Sequence, residues 1–127
     1  MTTIAADSLP LVHELPASLS AEQAFMRLCD KPHCLFLDSS LRHQTLGRYS
    51  FVAADPYRLV QANDDAHRVL RRIALEWANT HSVYRDDLPP FQGGAAGVLS
   101  YELGQCYERL PQTKHDEFQL PRISLGM

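Results

Sequence analysis

The sequence predicts an α+β fold, a largely antiparallel sheet packed with helices, and three observations carry that expectation. Short apolar runs at 34–37, 49–54 and 58–62 are separated by turn residues and not by helices, as in antiparallel neighbours. Val69, Ile73 and Trp77 recur every four residues, the spacing of one helix face. The length of 127 residues suits one domain with one core, so residues 1–127 are expected to fold as a single domain.

The first element is a helix. Ser20 supplies an N-cap oxygen, and Gln23 three residues on completes a capping box. The helix runs to about Cys29 with Phe25 and Leu28 on one face, and Lys31-Pro32 stops it because the residue before proline avoids the α region. Strands follow at 34–37 and at 49–54, the second rich in aromatic and β-branched residues and closed by Asp55-Pro56. A third strand at 58–62 is expected to pair directly after that turn, giving a meander.

Asn63, Asp64 and Asp65 then offer capping oxygens and negative charge to the start of the next helix. Its stripe of Val69, Ile73 and Trp77, with Leu70 beside it, reads as core, while Arg68, Arg71, Arg72 and Glu76 face water. Trp77 is read as packing in preference to a ligand-stacking ring. The polar stretch 79–87 is a linker loop, and the two prolines in 88–91 force an extended segment. Gly93-Gly94 permits a sharp turn into a tightly covered strand over 94–99, in which Gly97 marks a close backbone approach. A short helix over 101–108 closes before Pro111.

Composition excludes several function classes. A net charge of -3 and the lack of a Lys or Arg run argue against a nucleic-acid partner. No stretch approaches 18 apolar residues, and the N-terminus has neither a basic nor an apolar signal region, so a cytoplasmic protein without a membrane partner is expected. Cys29, Cys34 and Cys106 are an odd set, expected to be reduced; Cys29, His33 and Cys34 cluster without matching a common zinc spacing. The GGAAG run lacks a following Lys-Ser or Lys-Thr and completes no GxGxxG pattern. The six histidines are scattered, no GxSxG is present, and Glu102 and Glu108 read as solvated groups, so the chain alone is not expected to be catalytic.

Four segments in this order carry a resemblance: FLDSS at 36–40, GRYSFVAADP at 47–56, PFQGG at 90–94 and SYELG at 100–104. Together they resemble the amino-terminal region of the component I family of aminodeoxychorismate (para-aminobenzoate) synthase and anthranilate synthase, which aminate chorismate for folate and tryptophan synthesis. The PFQGG segment looks more like the aminodeoxychorismate type. The resemblance implies the amino-terminal part of the layered anthranilate synthase component I-like fold. It also implies that the chorismate-binding catalytic domain, with its magnesium, belongs to a carboxy-terminal half absent from this sequence, leaving this chain with no cofactor of its own. The partners implied are that catalytic half and a glutamine amidotransferase.

Some members of the family hold tryptophan away from the catalytic centre, and the matching residues here are Leu37, Asp38, Ser39, Arg48, Tyr49 and Ser50. On that implied reading Asp38 holds an ammonium, Ser39 and a neighbouring backbone amide hold a carboxylate, and Leu37 and Tyr49 cover an indole. The competing reading is structural: Asp38 pairs with Arg48 across adjacent strands, and Ser39 and Ser50 close a turn. A stand-alone small-molecule-binding module on the same fold is the alternative to an enzyme segment. Finally, 123–127 reads as an exposed strand edge, which predicts self-association or docking of a separate chorismate-binding chain.

Overall fold

A computed structural model describes residues 11–41, 43–78, 84–111 and 115–127. The α+β expectation holds: helices and antiparallel strands build two compact units, one from the described residues within 1–55 and 81–92 and the other from those within 56–80 and 93–127. Among the described residues no helix is long and apolar enough to cross a membrane.

In the first unit, helix α1 spans Ala21–Leu28 and begins as its capping residues dictate. The Gln23 N–H donates to Ser20 Oγ at 3.1 Å, and the Ser20 N–H donates back to Gln23 Oε1 at 3.1 Å. Strands β1 (Leu35–Leu37) and β2 (Phe51–Ala53) pair antiparallel, with Leu37 opposite Phe51. A two-stranded ribbon is marginal by itself. Here the Phe25 ring of α1 stacks on Phe36 of β1, centroids 5.0 Å apart and planes within 15°.

The same unit contains a loop from Arg85 to Gln92 that is closed by one side-chain amide. Gln92 Oε1 accepts from the Arg85 N–H at 3.1 Å, and Gln92 Nε2 donates to the Arg85 carbonyl at 2.7 Å. Arg85 also forks onto Asp87, Nε to Oδ1 at 3.0 Å and a terminal nitrogen to Oδ2 at 2.6 Å. These bonds hold the Asp87 carboxyl below the usual carboxylate range. The linker expected over 79–87 is thus an ordered loop from residue 84 onward, and 79–83 lie outside the described residues.

The expected meander does not form. Asp55 takes a left-handed φ of 55°, its N–H donating to the Pro32 carbonyl at 2.8 Å, and Pro56 follows with no N–H to offer. The chain therefore leaves the β1–β2 ribbon, and β3 (Leu59–Ala62) pairs in a second sheet of order β3-β5-β4, with β4 at Ala96–Leu99 and β5 at Ile123–Gly126. Both pairings are antiparallel, with Val60 and Gly97 opposite Leu125 and with Ala62 and Leu99 opposite Ile123. The segment read as an open edge is the central strand, and Ile123 is fully buried. The edge-based argument for self-association falls with it.

Helix α2 (Ala66–Ala78) lays Ala66, Val69, Leu70 and Ile73 on this sheet, and Leu103 of a 3₁₀ helix at Tyr101–Cys106 completes the core with Val60, Ile123 and Leu125. The short helix expected over 101–108 is this 3₁₀ helix, which ends at Cys106. Trp77 is 38% exposed, a correction to its place in the core stripe. A helix of this length runs about 20 Å while four-residue strands run about 13 Å, so the last turn of α2 outreaches the sheet. Its partners are polar instead: Arg58 reaches Glu76 at 3.0 Å, and Arg72 lies 3.8 Å from the same carboxylate.

Arg122 joins three elements of this unit. Its N–H donates to Asn63 Oδ1 at 3.2 Å, its guanidinium donates to Gln105 Oε1 at 3.0 Å and lies 3.8 Å from Asp64, and its carbonyl accepts from the Ser100 N–H at 3.0 Å.

Two outcomes are expected. A Cβ at Gly97 would overlap the Ser124 carbonyl, and its φ of 156° disfavours side chains. Gly97→Ala should therefore lower stability in urea by about 1–3 kcal/mol, whereas Val98→Ala at the exposed neighbouring position should stay within about 0.5 kcal/mol. The contribution of the Arg85–Asp87 pair is fully present above the ordinary carboxylate range and lost as pH falls through the lowered folded-state value. Exchange of the Arg85 amide should accelerate on that descent in the parent and show no such step in Asp87→Asn.

Candidate functional site

The six residues singled out from the sequence sit together where β1 ends and β2 begins. Leu37 closes β1 opposite Phe51, so Asp38 and Ser39 leave the ribbon beside the arriving Arg48, Tyr49 and Ser50. Three hydrogen bonds cross between the two segments. Ser50 Oγ donates to Asp38 Oδ1 at 2.8 Å, the Ser39 N–H donates to Ser50 Oγ at 3.3 Å, and Ser39 Oγ donates to the Tyr49 carbonyl at 2.6 Å. Ser50 Oγ thus accepts from Ser39 and donates to Asp38, adjacent residues of the opposing segment, a double use that only a hydroxyl in this inventory provides.

The charges stand apart from each other. Asp38 and Arg48 are both exposed, and the carboxylate is held by Ser50 and not by the guanidinium. Arg48 instead lies over the Tyr49 ring, 5.3 Å from its centroid. A contact of this kind at an exposed position contributes about 0.5–1 kcal/mol, too little to fix a long side chain, so the cation remains available to an incoming anion. Asp38 likewise keeps acceptor capacity, since a carboxylate offers about four lone-pair directions and Ser50 occupies one.

An aromatic ledge continues from Tyr49. Phe51 lies 6.1 Å from Tyr49 with planes tilted by 38°, and Phe91 meets Phe51 edge-on at 5.7 Å and 79°. Tyr49 and Phe91 are 36% and 40% exposed and Leu37 is 46% exposed, so the ledge is an open apolar surface with Arg48 over one of its rings. Phe51 and Phe91 were not among the candidates. The PFQGG segment gave the signal for Phe91, while its placement depends on the Gln92 amide that ties residues 85 and 92 together.

Both Ser39 donors are engaged within the protein, so a ligand carboxylate would have to displace one of them to use this residue. Among the described residues no three His, Cys, Asp or Glu side chains converge, and Cys29 donates its S–H to the Met26 carbonyl at 3.3 Å. The second unit carries an open hollow of about 630 Å³ at the start of α2, lined by Gln61, Asn63, Asp64, Asp65, Arg68 and Gln119 among others. Asn63 and Asp64 there already serve Arg122.

The chain is similar over most of its length to component 1 of two synthases. It is 29% identical to aminodeoxychorismate synthase component 1 of Escherichia coli over 124 residues, 85% of this chain and 27% of that protein. It is 34% identical to anthranilate synthase component 1 of Thermus thermophilus over 110 residues, 79% of this chain and 24% of that protein. The corresponding Streptomyces coelicolor anthranilate synthase component 1 is 35% identical over 108 residues, 83% of this chain and 20% of that protein. The chain thus spans about a quarter or less of the relatives it matches, and the resemblance is at the level of the component 1 family. No family model and no solved structure matches it.

Ser50→Ala should lower stability by about 1–2 kcal/mol, because two cross-segment hydrogen bonds disappear together. Arg48→Met, which removes only the contact over Tyr49, should cost less than about 1 kcal/mol in the same denaturation measurement.

Proposed function

We propose that this chain is a segment of component 1 of a cytoplasmic, chorismate-aminating synthase of the aminodeoxychorismate type, and that its part is to bind a free aromatic amino acid, tryptophan. Amination itself belongs, on this reading, to a chorismate- and magnesium-binding half of the whole protein fed with ammonia by a glutamine amidotransferase. The resemblance to component 1 proteins over most of the chain supports the enzyme assignment. The carrying observation for the ligand is that Asp38 and Arg48, opposite charges that do not pair with each other, stand on the two segments at the end of the β1–β2 ribbon, with Arg48 over the Tyr49 ring.

A zwitterion with an aromatic side chain matches each part of that arrangement. Its ammonium meets the free lone pairs of Asp38, and its carboxylate meets Arg48, because the Ser39 donors are spent on Tyr49 and Ser50. Its ring lies along Leu37, Tyr49 and Phe51, the apolar wall that small-ligand sites combine with a few polar anchors. The openness of this wall fits a segment that the remainder of a longer protein covers. The anthranilate type is the second reading, favoured by the 34% and 35% identities to anthranilate synthase component 1. The product formed from chorismate by the whole protein separates the two.

Calorimetry on the chain should give binding heat with tryptophan and at least about tenfold weaker binding by Asp38→Ala, a loss of about 1.4 kcal/mol. Tryptamine, which lacks the carboxylate, should bind the parent and Arg48→Met equally weakly. An absence of tryptophan heat in the parent leaves the Asp38, Ser39 and Ser50 network with a structural role alone.

A further inference from the structure

Between β1 and β2 the described residues 43–47 form a turn, and one side-chain atom organises it. His43 Nδ1 lies 3.2 Å from the Thr45 nitrogen, 3.2 Å from the Leu46 nitrogen and 3.1 Å from Thr45 Oγ1. Backbone N–H groups can only donate, so Nδ1 must present its lone pair and the proton of the neutral ring must sit on Nε2. In most turns this acceptor is an Asp or Asn side-chain oxygen. A histidine in that place differs in one respect: its acceptor is erased when the ring takes up a proton.

Protonation removes the acceptor of both backbone bonds in this exposed turn. Imidazolium carries a proton on Nδ1, which would point at two backbone N–H groups that have just lost their acceptor. The turn also has little slack, because Gly47 holds a left-handed φ of 63° with its Cα so close to the Leu41 carbonyl that any Cβ would overlap it. Among the described residues no carboxylate pairs with the ring. The charged side chains of this segment and of the strand ends it joins are Asp38, Arg42 and Arg48; Asp38 is bonded to Ser50, Arg48 lies over Tyr49, and none of the ion pairs among the described residues includes His43.

We propose that His43 is a pH-sensitive latch on the β1–β2 turn: the neutral ring closes the turn, and protonation opens it. The turn delivers Arg48 and Tyr49 to their places, so opening it disperses the cation and ring that the amino-acid site uses. That coupling rests on the tryptophan reading given above, whereas the latch itself does not. The stabilisation belongs to the unprotonated ring, the form in which Nδ1 can accept.

Nitrogen-15 NMR of the chain at about pH 8 and about pH 5, on either side of the ordinary imidazole range, tests the latch. At the higher pH His43 should carry its proton on Nε2, and the Thr45 and Leu46 amides should be protected from exchange. That protection should vanish as His43 titrates. His43→Asn supplies a non-titrating acceptor and should keep the protection at both pH values, while His43→Ala should lose it at both. An Nδ1-protonated neutral ring, or Thr45 and Leu46 amides that ignore the His43 titration, would overturn the proposal even if the alanine variant does not fold. Where tryptophan binds, its affinity for the parent should fall on acidification and its affinity for His43→Asn should not. Absence of tryptophan binding refutes the amino-acid reading and leaves the latch to be judged by the amides.

Discussion

Strand β5 is the constraint on which the second unit depends. Neither β3 nor β4 pairs with any other strand among the described residues, so both registers are set by this one four-residue segment near the end of the sequence. Its alternate residues Ile123 and Leu125 face the core and fix which face of each neighbour is buried, since a one-residue slip would turn both side chains to water. Gly97 lets β4 approach the Ser124 backbone, and Arg122 immediately before the strand pins α2 and the 3₁₀ helix to the same place. A sheet closed over about sixty residues of intervening chain places a large loop-closure entropy before the first favourable contact.

The first unit is organised by different means. It contains none of the fully buried side chains found among the described residues, and aromatic pairs and hydroxyl bonds take the place of a close-packed centre. Polar groups that close the ribbon, namely Ser39, Ser50 and His43, are neutral side chains bonded to nearby backbone or to Asp38. The charged side chains Asp38 and Arg48 are exposed on its surface. The neutral residues thus fix the backbone, while the charges keep access to solvent.

Some of this was legible in the residues alone. The Ser20 and Gln23 capping box, the stop before Pro32 and the close approach at Gly97 each depend on local backbone chemistry that a residue type dictates. The six candidate site residues do converge at one end of the β1–β2 ribbon, because they flank two strands whose pairing their own pattern specifies. Asp38 finding Ser50 and not Arg48 was not legible, since either pairing satisfies the charge pattern and only the geometry of the crossing chains selects one. His43 gave no signal either, as a lone histidine in a polar loop is indistinguishable from a solvated one until its Nδ1 is seen facing two amides.

By itself, the sequence determined the class of each element, most of their approximate bounds, the α+β character and the family resemblance, because these follow from near-neighbour periodicity, capping and local motifs. Only the tertiary structure decided which strand pairs with which. The left-handed Asp55 followed by Pro56 takes β3 out of the expected meander, and the last apolar run becomes the centre of a sheet, where sequence order suggested an edge. Partner choice among short strands is set by matching buried faces across long separations, as Val60 and Leu125 show, and no local pattern encodes that match.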